Sequence, residues 1–508
     1  MTLYRLILTI SAALALAQAS WAIIFVDSRA TTGTQDGSSW QNAFTSITAA
    51  LSSLESGGTL WVREGVYRER IALKTYQNIY GGFLGFETSA DQRIAGAFPT
   101  IIDAESKGRA VDIKTGAWVT IDGLTIRNGL ADYGGGIRCN INANVKIRNC
   151  HIEDCSATAL GGGVYHDKYS YGEMTDCIVT RCNASSGGGL VVEYHSYPVH
   201  KRCVITRNSA VISGGGLYCP FHSEARMENC TFAFNNAGMN GGAAYTYRGG
   251  PVAFDHDIIA FNSASDTGGV YGDGGSSTTT FTCCDFYAND NGDCGGAIGS
   301  ISTYSGNMFV DPLLLMPEHD ECCLSLGSPC DGIGAYPIET AYPISKIGHV
   351  KILPTGTAVK LSGKVISCTN GTNIWIEEID RSATIGVQGV SDCSPGDVIS
   401  SLIGTISVDD NEKRYISVSS WEKLEGAGYD LVPYGTRISW LDSAVGTYMK
   451  TWGRMIKTDN DGFQLSDGEN SIDVLWSGME IRPHSYVVVT GGYIGYGQFQ
   501  AYNVQIVR

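Results

Sequence analysis

Between residues 121 and 298, apolar and polar residues alternate with a period of two, and the alternation itself recurs at a fixed interval. Alternation of this kind is strand spacing, and no stretch here carries a 3.6-residue helical period. Glycine clusters begin at Gly134, Gly161, Gly187, Gly214, Gly241, Gly268 and Gly295, at spacings of 27, 26, 27, 27, 27 and 27. One column in this frame reads Leu124, Cys150, Cys177, Cys203, Cys230, Asp257, Cys284. Two residues on, another reads Ile126, Ile152, Val179, Ile205, Phe232, Ile259, Phe286. A third is Gly129, Cys155, Cys182, Asn208, Asn235, Asn262, Asn289, and a fourth Ile121, Ile147, Met174, His200, Met227, Phe254, Phe281. Met227, Cys230 and Phe232 do not share parity, so the chain bends near Asn229. Three short strands and three turns fit each repeat. A parallel β-helix of about 27 residues per coil satisfies every column at once, with equivalent residues stacked ~4.8 Å apart. Apolar columns then fill the interior, and the asparagines form an amide ladder, since an unsatisfied buried amide is costly. The glycine clusters supply tight corners with positive φ, and the open ends of the solenoid need caps.

The repeat resembles those of the right-handed parallel β-helix proteins of the pectin-lyase-like superfamily. Phe232-Ala-Phe-Asn235, Phe286-Tyr-Ala-Asn289 and Gly295-Gly-Ala-Ile298 resemble the FxxN and GGA[ILV] repeats of polymorphic outer membrane proteins. The opening, Phe25-Val26-Asp27, then Gly37–Phe44 and Thr59–Tyr67, is similar to that of secreted bacterial β-helix proteins, in which a short amphipathic helix (here 43–54) caps the first coil. Phe309-Val310-Asp311-Pro312 and Ser328-Pro329-Cys330-Asp331 resemble a last-coil signature. The resemblance covers about residues 23–340. It implies a fold and not an activity, because this fold hosts lyases, hydrolases, epimerases and adhesins.

The flanks differ in character. Residues 1–22 combine Arg5, an apolar run from Leu6 to Ala17 and small-x-small sites, the pattern of a secretory signal peptide. Residues 341–350 read as a linker. Two related β-rich modules follow, 351–440 and 441–508. Gly363-Lys364-Val365 pairs with Gly453-Arg454-Met455, Ile374-Trp375-Ile376 with Phe463-Gln464-Leu465, and Gly404-Thr405-Ile406 with Gly491-Gly492-Tyr493. Pro395-Gly396-Asp397-Val398 pairs with Pro483-His484-Ser485-Tyr486. Their order resembles small OB-fold barrels, with a β-sandwich as the alternative. The expected class is therefore all-β: a right-handed parallel β-helix followed by two small OB-like β-barrel modules.

Charge narrows the partners. With 35 basic against 51 acidic residues and a net charge of −16, a general phosphate-binding surface and hence nucleic acid are disfavoured. Glycine is 64 of 508 residues, about twice the usual share. The 16 cysteines are many for a cytosolic protein. Cys150, Cys177, Cys203, Cys230 and Cys284 read as a buried thiol ladder. Cys368–Cys393 is the first disulfide expected, and Cys322 or Cys323 with Cys330 the next. Cys283-Cys284 and Cys322-Cys323 are adjacent pairs, not the CxxC of a zinc site. Asp459-Asn460-Asp461-Gly462 opens like a calcium loop but lacks the glutamate at position 12, so it reads as a hairpin turn, and no metal or cofactor is expected. His200 is expected to be a buried neutral histidine hydrogen-bonded to a neighbouring coil, and Asp176–Arg202 an exposed ion pair between coils. Asp257 either points inward, paired or protonated, or outward through a bulge.

Candidate chemistry gathers in the turn after the strand that follows each glycine cluster. Lys168, Tyr194, Phe221 and Arg248 form one column there and Tyr169, His195 and His222 its neighbour, with Tyr171 and Tyr197 continuing the patch. Asp167, Glu193 and Glu224 are the nearest acids. Aromatic rings stack on sugar faces, and charged groups hydrogen-bond hydroxyls. Tyr169, Tyr171, Tyr194, Tyr197 and Phe221 are thus candidate glycan-binding residues. His195, His222, Lys168, Arg248 and Glu193 are the catalytic candidates, a histidine beside a carboxylate serving as general base. The expected function is a secreted or cell-surface, non-catalytic protein that binds a polysaccharide or surface glycan. A polysaccharide lyase or glycoside hydrolase on the same face, and a structural rod presenting the C-terminal modules, stay open as alternatives. The irregular stretch 81–98 is the one place for an active-site insert.

Overall fold

The computed structural model describes residues 23–506, apart from 55–56, 95, 249–250, 275–277, 299–305, 316–319, 321, 326, 337–340, 345, 371–372, 410–412, 430–433, 436–444, 460–461, 467–469, 477–485 and 496–497. The expected signal peptide, 1–22, lies outside the described residues, as do Pro483, His484 and Ser485. Contacts divide the chain into one unit of Met1–Gly81 and Pro99–Phe309 and a second of Gly82–Phe98 and Val310–Arg508.

The first unit is a parallel β-helix. Its strands stack into four parallel sheets: sheet 1, from Ile23–Val26 to Thr280–Thr282; sheet 2, from Gly65–Tyr67 to Asp285–Tyr287; sheet 3, from Leu130–Tyr133 to Ser263–Ala264; and sheet 4, from Ile71–Leu73 to Cys294–Gly296. One coil runs Tyr197–Lys201, Val204–Thr206, Ser209–Ala210 and Leu217–Cys219 through sheets 1 to 4 in turn. Three strands per coil are expected from the sequence. The fourth, in sheet 3, arises where a two-residue Ser/Asn-Ala segment between the ladder asparagine and the glycines pairs with its copies, as in Ser209↔Asn236. The columns are the observed registers. Ile147↔Met174↔His200↔Met227↔Phe254 runs along sheet 1, and Ile152↔Val179↔Ile205↔Phe232↔Ile259 along sheet 2. All of these side chains are buried in one continuous core.

The corners explain the polar columns. Asn229, Asp176, Arg202 and His256 precede the cysteine column with φ between 48 and 58°, which is the bend expected near Asn229. At the next corner Asn208 Nδ2 donates to Asn235 Oδ1 at 3.0 Å, Asn235 to Asn262 at 3.0 Å and Asn262 to Asn289 at 2.9 Å. The same oxygens accept backbone N–H groups, as Asn235 Oδ1 does from Asn208 at 3.1 Å. Each Nδ2 also reaches a carbonyl of the preceding coil, Asn235 to Ile205 at 2.8 Å. Every polar valence of the buried amide is thereby used. The thiols of the other column behave similarly: Cys203 Sγ donates to the Met174 carbonyl at 3.4 Å and Cys230 Sγ to that of His200 at 3.4 Å. The glycine clusters need a different account from the expected one. In the clusters that begin at Gly134, Gly161, Gly187 and Gly214 only the first glycine has positive φ, as in Gly214 at 70°. The second and third are glycine because the next coil fills the place of a Cβ. At Gly215 it would lie 2.4 Å from the Asn236 carbonyl oxygen, and at Gly216 2.5 Å from that of Ala243.

Two polar residues, Asp257 and His200, lie inside the core, and the pair Asp176–Arg202 lies outside it. Asp257 points inward and is fully buried, accepting from the Cys230 N–H at 2.5 Å and the Asp255 N–H at 3.0 Å. Burial pushes its carboxyl well above the usual range despite these bonds. His200 is buried but lacks the expected hydrogen bond: both ring nitrogens are without a partner, because the column places it among apolar side chains. Burial lowers its imidazole to about 3, so it is neutral. Asp176 and Arg202 form the expected two-bond ion pair at 2.7 and 2.8 Å, exposed and so worth little. The capping helix is Ile47–Ser53, shorter than expected. Ser46 caps it, and Glu69 accepts from the Ile47 and Thr48 N–H groups at 3.0 and 2.8 Å.

The second unit holds two closed sheets. In the first, Lys364–Asn370, Asn373–Glu377, Thr384–Gln388, Asp397–Val408 and Arg414–Gly428 close through pairing of the last strand with both of the preceding two. In the other, Tyr448–Asp459, Gly462–Ser466, Ser471–Leu475, Tyr486–Gly495 and Gln498–Ile506 close through pairing of the first with the fourth. In both, the third and fifth strands pair parallel. Asp459 pairs with Gly462, and Asn460 and Asp461 of the calcium-like motif lie outside the described residues. Leu84 and Phe98 of the stretch 82–98 pack with Val398 in this unit, so that stretch serves packing. The expected disulfides are not formed. Cys368 is buried against Gly492 and accepts a hydrogen bond from the Tyr502 hydroxyl at 3.3 Å, while Cys393 packs at the edge of the first module's core. Cys322, Cys323 and Cys330 are buried and not joined to one another.

Two predictions follow from the interior. Asn235→Ala strands the Asn208 N–H and takes one partner from the Asn208 amide and from the Ile205 carbonyl, and should cost roughly 3 kcal/mol in urea unfolding. Asp257→Asn removes the titrating group, so its stability should fall less than that of the wild type as pH rises from 4 to 8. The folded carboxyl titrates above its unfolded value of 3.8, so the native state binds more protons and the wild type loses stability as pH rises through that window. Thermal unfolding of both proteins across pH 4–8 reads the difference.

Candidate functional site

Each central coil passes from sheet 4 to sheet 1 through a short turn whose backbone is held by the neighbouring coil. The Ser170 N–H bonds the Asp167 carbonyl at 3.0 Å, and the Ser196 N–H that of Glu193 at 3.0 Å. The residue before each serine is left-handed: Tyr169 at φ 60°, His195 at 54°, His222 at 53°, with Arg248 at 42° in the next coil. This conformation costs a non-glycine residue on the order of 1–3 kcal/mol and is offset by bonds along the axis. The Tyr169 N–H donates to the Tyr194 carbonyl at 3.2 Å, His195 to His222 at 3.1 Å and His222 to Arg248 at 3.2 Å. The serines stay inside, Ser196 Oγ donating to the Asp167 carbonyl at 2.7 Å. The two residues before each serine are thereby turned to solvent.

The result is a ladder of rings. His195 stacks on Tyr169 at 5.7 Å and 16°, and on His222 at 5.8 Å and 19°. Tyr194 meets His195 edge-on at 4.1 Å, and Phe221 meets Tyr247 at 4.6 Å. Beside it, Tyr171 and Tyr197 stand in register on sheet 1, and the Trp118 ring lies 6.2 Å from Tyr171. Trp118, Tyr169, Tyr171, Tyr197 and Phe221 are all exposed. From Trp118 to Arg248 the strip crosses five coil steps, ~24 Å at ~4.8 Å each. All five ring candidates and the charged Lys168 and Arg248 lie on this strip. The sequence columns misplace Arg248 by one: it follows His222, and Tyr247, unnoticed there, follows Phe221, because this coil is one residue shorter between Ala244, in register with Leu217, and its left-handed residue. The guanidinium lies 5.2 Å over the Tyr247 ring.

The acids sit at the edge of the strip. Asp167 accepts from Arg138 Nη2 at 2.6 Å and from the Lys168 N–H at 2.8 Å. Glu193 is one coil on. Burial pushes its carboxyl up, and the Asp167 charge adds to this, against the Tyr194 N–H and the Tyr165 hydroxyl. Asp273 belongs to the same line but lies three coils beyond, bound to the Tyr245 hydroxyl at 2.9 Å. Two carboxylates therefore adjoin, not three. Neither His195 nor His222 is hydrogen-bonded to an acid, so no histidine–carboxylate base is formed. Among the described residues no three His, Cys, Asp or Glu side chains converge as metal ligands. The second unit has its own concavity of about 530 Å³, with Trp375, Tyr415, Lys351 and Arg414 among its walls, for which the sequence carries no motif.

Residues 100–258, the coils that bear the strip, match the family described as "Right handed beta helix region". No curated protein matches the sequence. Among solved structures, the chain is similar to the pectin methylesterase of Aspergillus niger, at 13% identity, 57% of this chain and 90% of that one, TM-score 0.31. It is also similar to the tailspike protein gp49 of Acinetobacter baumannii bacteriophage Fri1, a capsular polysaccharide depolymerase (12% identity, 80% and 87% covered, TM-score 0.23). A third is the telomere capping protein Ten1 from Saccharomyces pombe (15% identity, 15% and 81% covered, TM-score 0.14).

Tyr165→Phe removes the hydroxyl that favours the ionised Glu193. A carboxyl-carbon NMR titration should find Glu193 titrating higher in the variant than in the wild type.

Proposed function

We propose that the protein is a secreted or cell-surface binder of an extracellular polysaccharide, held along the β-helix axis by the ring ladder. The observation that carries this is the exposed strip from Trp118 through Tyr169, Tyr171 and Tyr197 to Phe221. A folded surface rarely leaves so many aromatic faces open in one line without a partner. Coil stacking repeats the rings at one spacing, which suits a repeating, extended ligand more than a compact one. Lys168 and Arg248 flank the rings and favour a glycan bearing acidic groups. The net charge of −16 argues against nucleic acid as the ligand. The signal-peptide pattern of residues 1–22 supports export, and no helix among the described residues is long and apolar enough to cross a membrane. We read the two closed five-stranded modules as OB-like, which adds a second surface suited to oligosaccharide.

One observation favours a second reading, cleavage of the bound glycan. Glu193, pushed toward the protonated form, adjoins Asp167, held by Arg138. Carboxyls in contrasting environments are the pattern of an acid and its anionic partner.

The test is retention of the full chain on a panel of neutral and acidic polysaccharides, with reducing ends and absorbance at 235 nm followed in parallel. Retention without product is expected, and Tyr171→Ala with Tyr197→Ala should weaken it about tenfold, ~1.4 kcal/mol. Product formation lost in Glu193→Gln would put cleavage in its place. Retention unaffected by the tyrosine variants would overturn the strip as the binding surface.

A further inference from the structure

Inside the solenoid, away from the strip, two histidines face each other without partners. His166 ends the strand Val164–His166 of sheet 4, and His200 lies in Tyr197–Lys201 of sheet 1. Their relative exposures are 2% and 0%. The rings are 5.6 Å apart at 86°, and all four ring nitrogens are buried with no hydrogen-bond partner. Elsewhere the same core satisfies its buried asparagines completely, so four orphaned nitrogens in one place stand out. Buried polar atoms of this kind call for an ion or a water.

The surroundings select between occupants. His200 is in register with Met174 on one side and Met227 on the other, both buried. His166 is in register with Cys139 and Val192. No acid acts on either imidazole; each feels burial, and His200 in addition only His166. The donors at hand are thus neutral imidazole and thioether. Thioether is a soft ligand that selects Cu(I), and imidazole also suits copper. A divalent ion would leave two uncompensated charges in a low-dielectric interior, whereas a monovalent one leaves a single, delocalised charge. Two metal–nitrogen bonds of ~2.0 Å would set the ring centroids about 6 Å apart, close to the separation observed.

We propose that His166 and His200, with Met174 and Met227, form a buried site for a soft monovalent metal ion of the Cu(I) class, cross-linking sheets 4 and 1 through the core. Both rings are buried, so the ion enters as the coils wrap. The site does not depend on the glycan reading.

The probe is Ag(I), which has the same charge and softness and no redox chemistry. The full chain is refolded with excess Ag(I), desalted and analysed for metal content, and its histidine side-chain nitrogens are observed by NMR. Because the cysteines also bind Ag(I), the measure is the difference between proteins. His166→Val copies Val192 of its column, and His200→Phe copies Phe254. Each should hold one Ag(I) fewer than the wild type. In the wild type the His166 and His200 resonances should move on loading while those of His195 and His222 do not. Equal metal content in wild type and variants, or unmoved His166 and His200 resonances, would overturn the proposal and leave water as the occupant. If one variant fails to fold, the other and the wild-type spectra still decide.

Discussion

The structure depends on a single constraint: at every corner of the β-helix, buried backbone and side-chain groups are satisfied only by the equivalent groups of the next coil. Asn235 shows this fully. Its oxygen serves the amide and backbone of Asn208, and its own amide serves Asn262 and the Ile205 carbonyl. The thiols of Cys203 and Cys230 repeat the arrangement with weaker donors. Because the partner is always one coil away, the residue type must recur once per coil, and the sequence acquires its period. The glycine clusters express the same constraint sterically, since the next coil occupies the space of a Cβ.

That constraint also makes the surface. The serine turns between sheets 4 and 1 are held left-handed by bonds along the axis, and this aims their two preceding residues outward at the coil spacing. A binding strip then needs no dedicated loop. Aromatic residues at turn positions become a ladder because the coils are stacked. The same stacking places Asp167 and Glu193 side by side on the edge of the strip, and His166 opposite His200 within the core.

Much of this was legible. The apolar columns predicted the registers residue by residue, and the asparagine column predicted its ladder, because both depend on spacing alone. What escaped depended on three-dimensional packing. The two-residue strands of sheet 3 are too short to alternate. Ser170 and Ser196 carry no periodic signal, because their role rests on hydroxyls that bond across adjacent coils. Arg248 falls out of its column because the turn before it is one residue shorter than in the preceding coil. The Cys368–Cys393 pairing assumed that cysteines in one module join, whereas Tyr502 and Gly492 occupy the space beside Cys368. The column places His200 inside the core, but its apolar neighbours supply no hydrogen-bond partner.

The claim most directly at stake is that ligand runs along the strip. The decisive measurement is side-chain NMR of tyrosine- and tryptophan-labelled protein titrated with a glycan it retains. The account predicts shifts at Trp118, Tyr169, Tyr171, Tyr194 and Tyr197 together, with Trp375 and Tyr415 of the second unit weaker or silent. Shifts confined to Trp375 and Tyr415, with the strip unmoved, would contradict it.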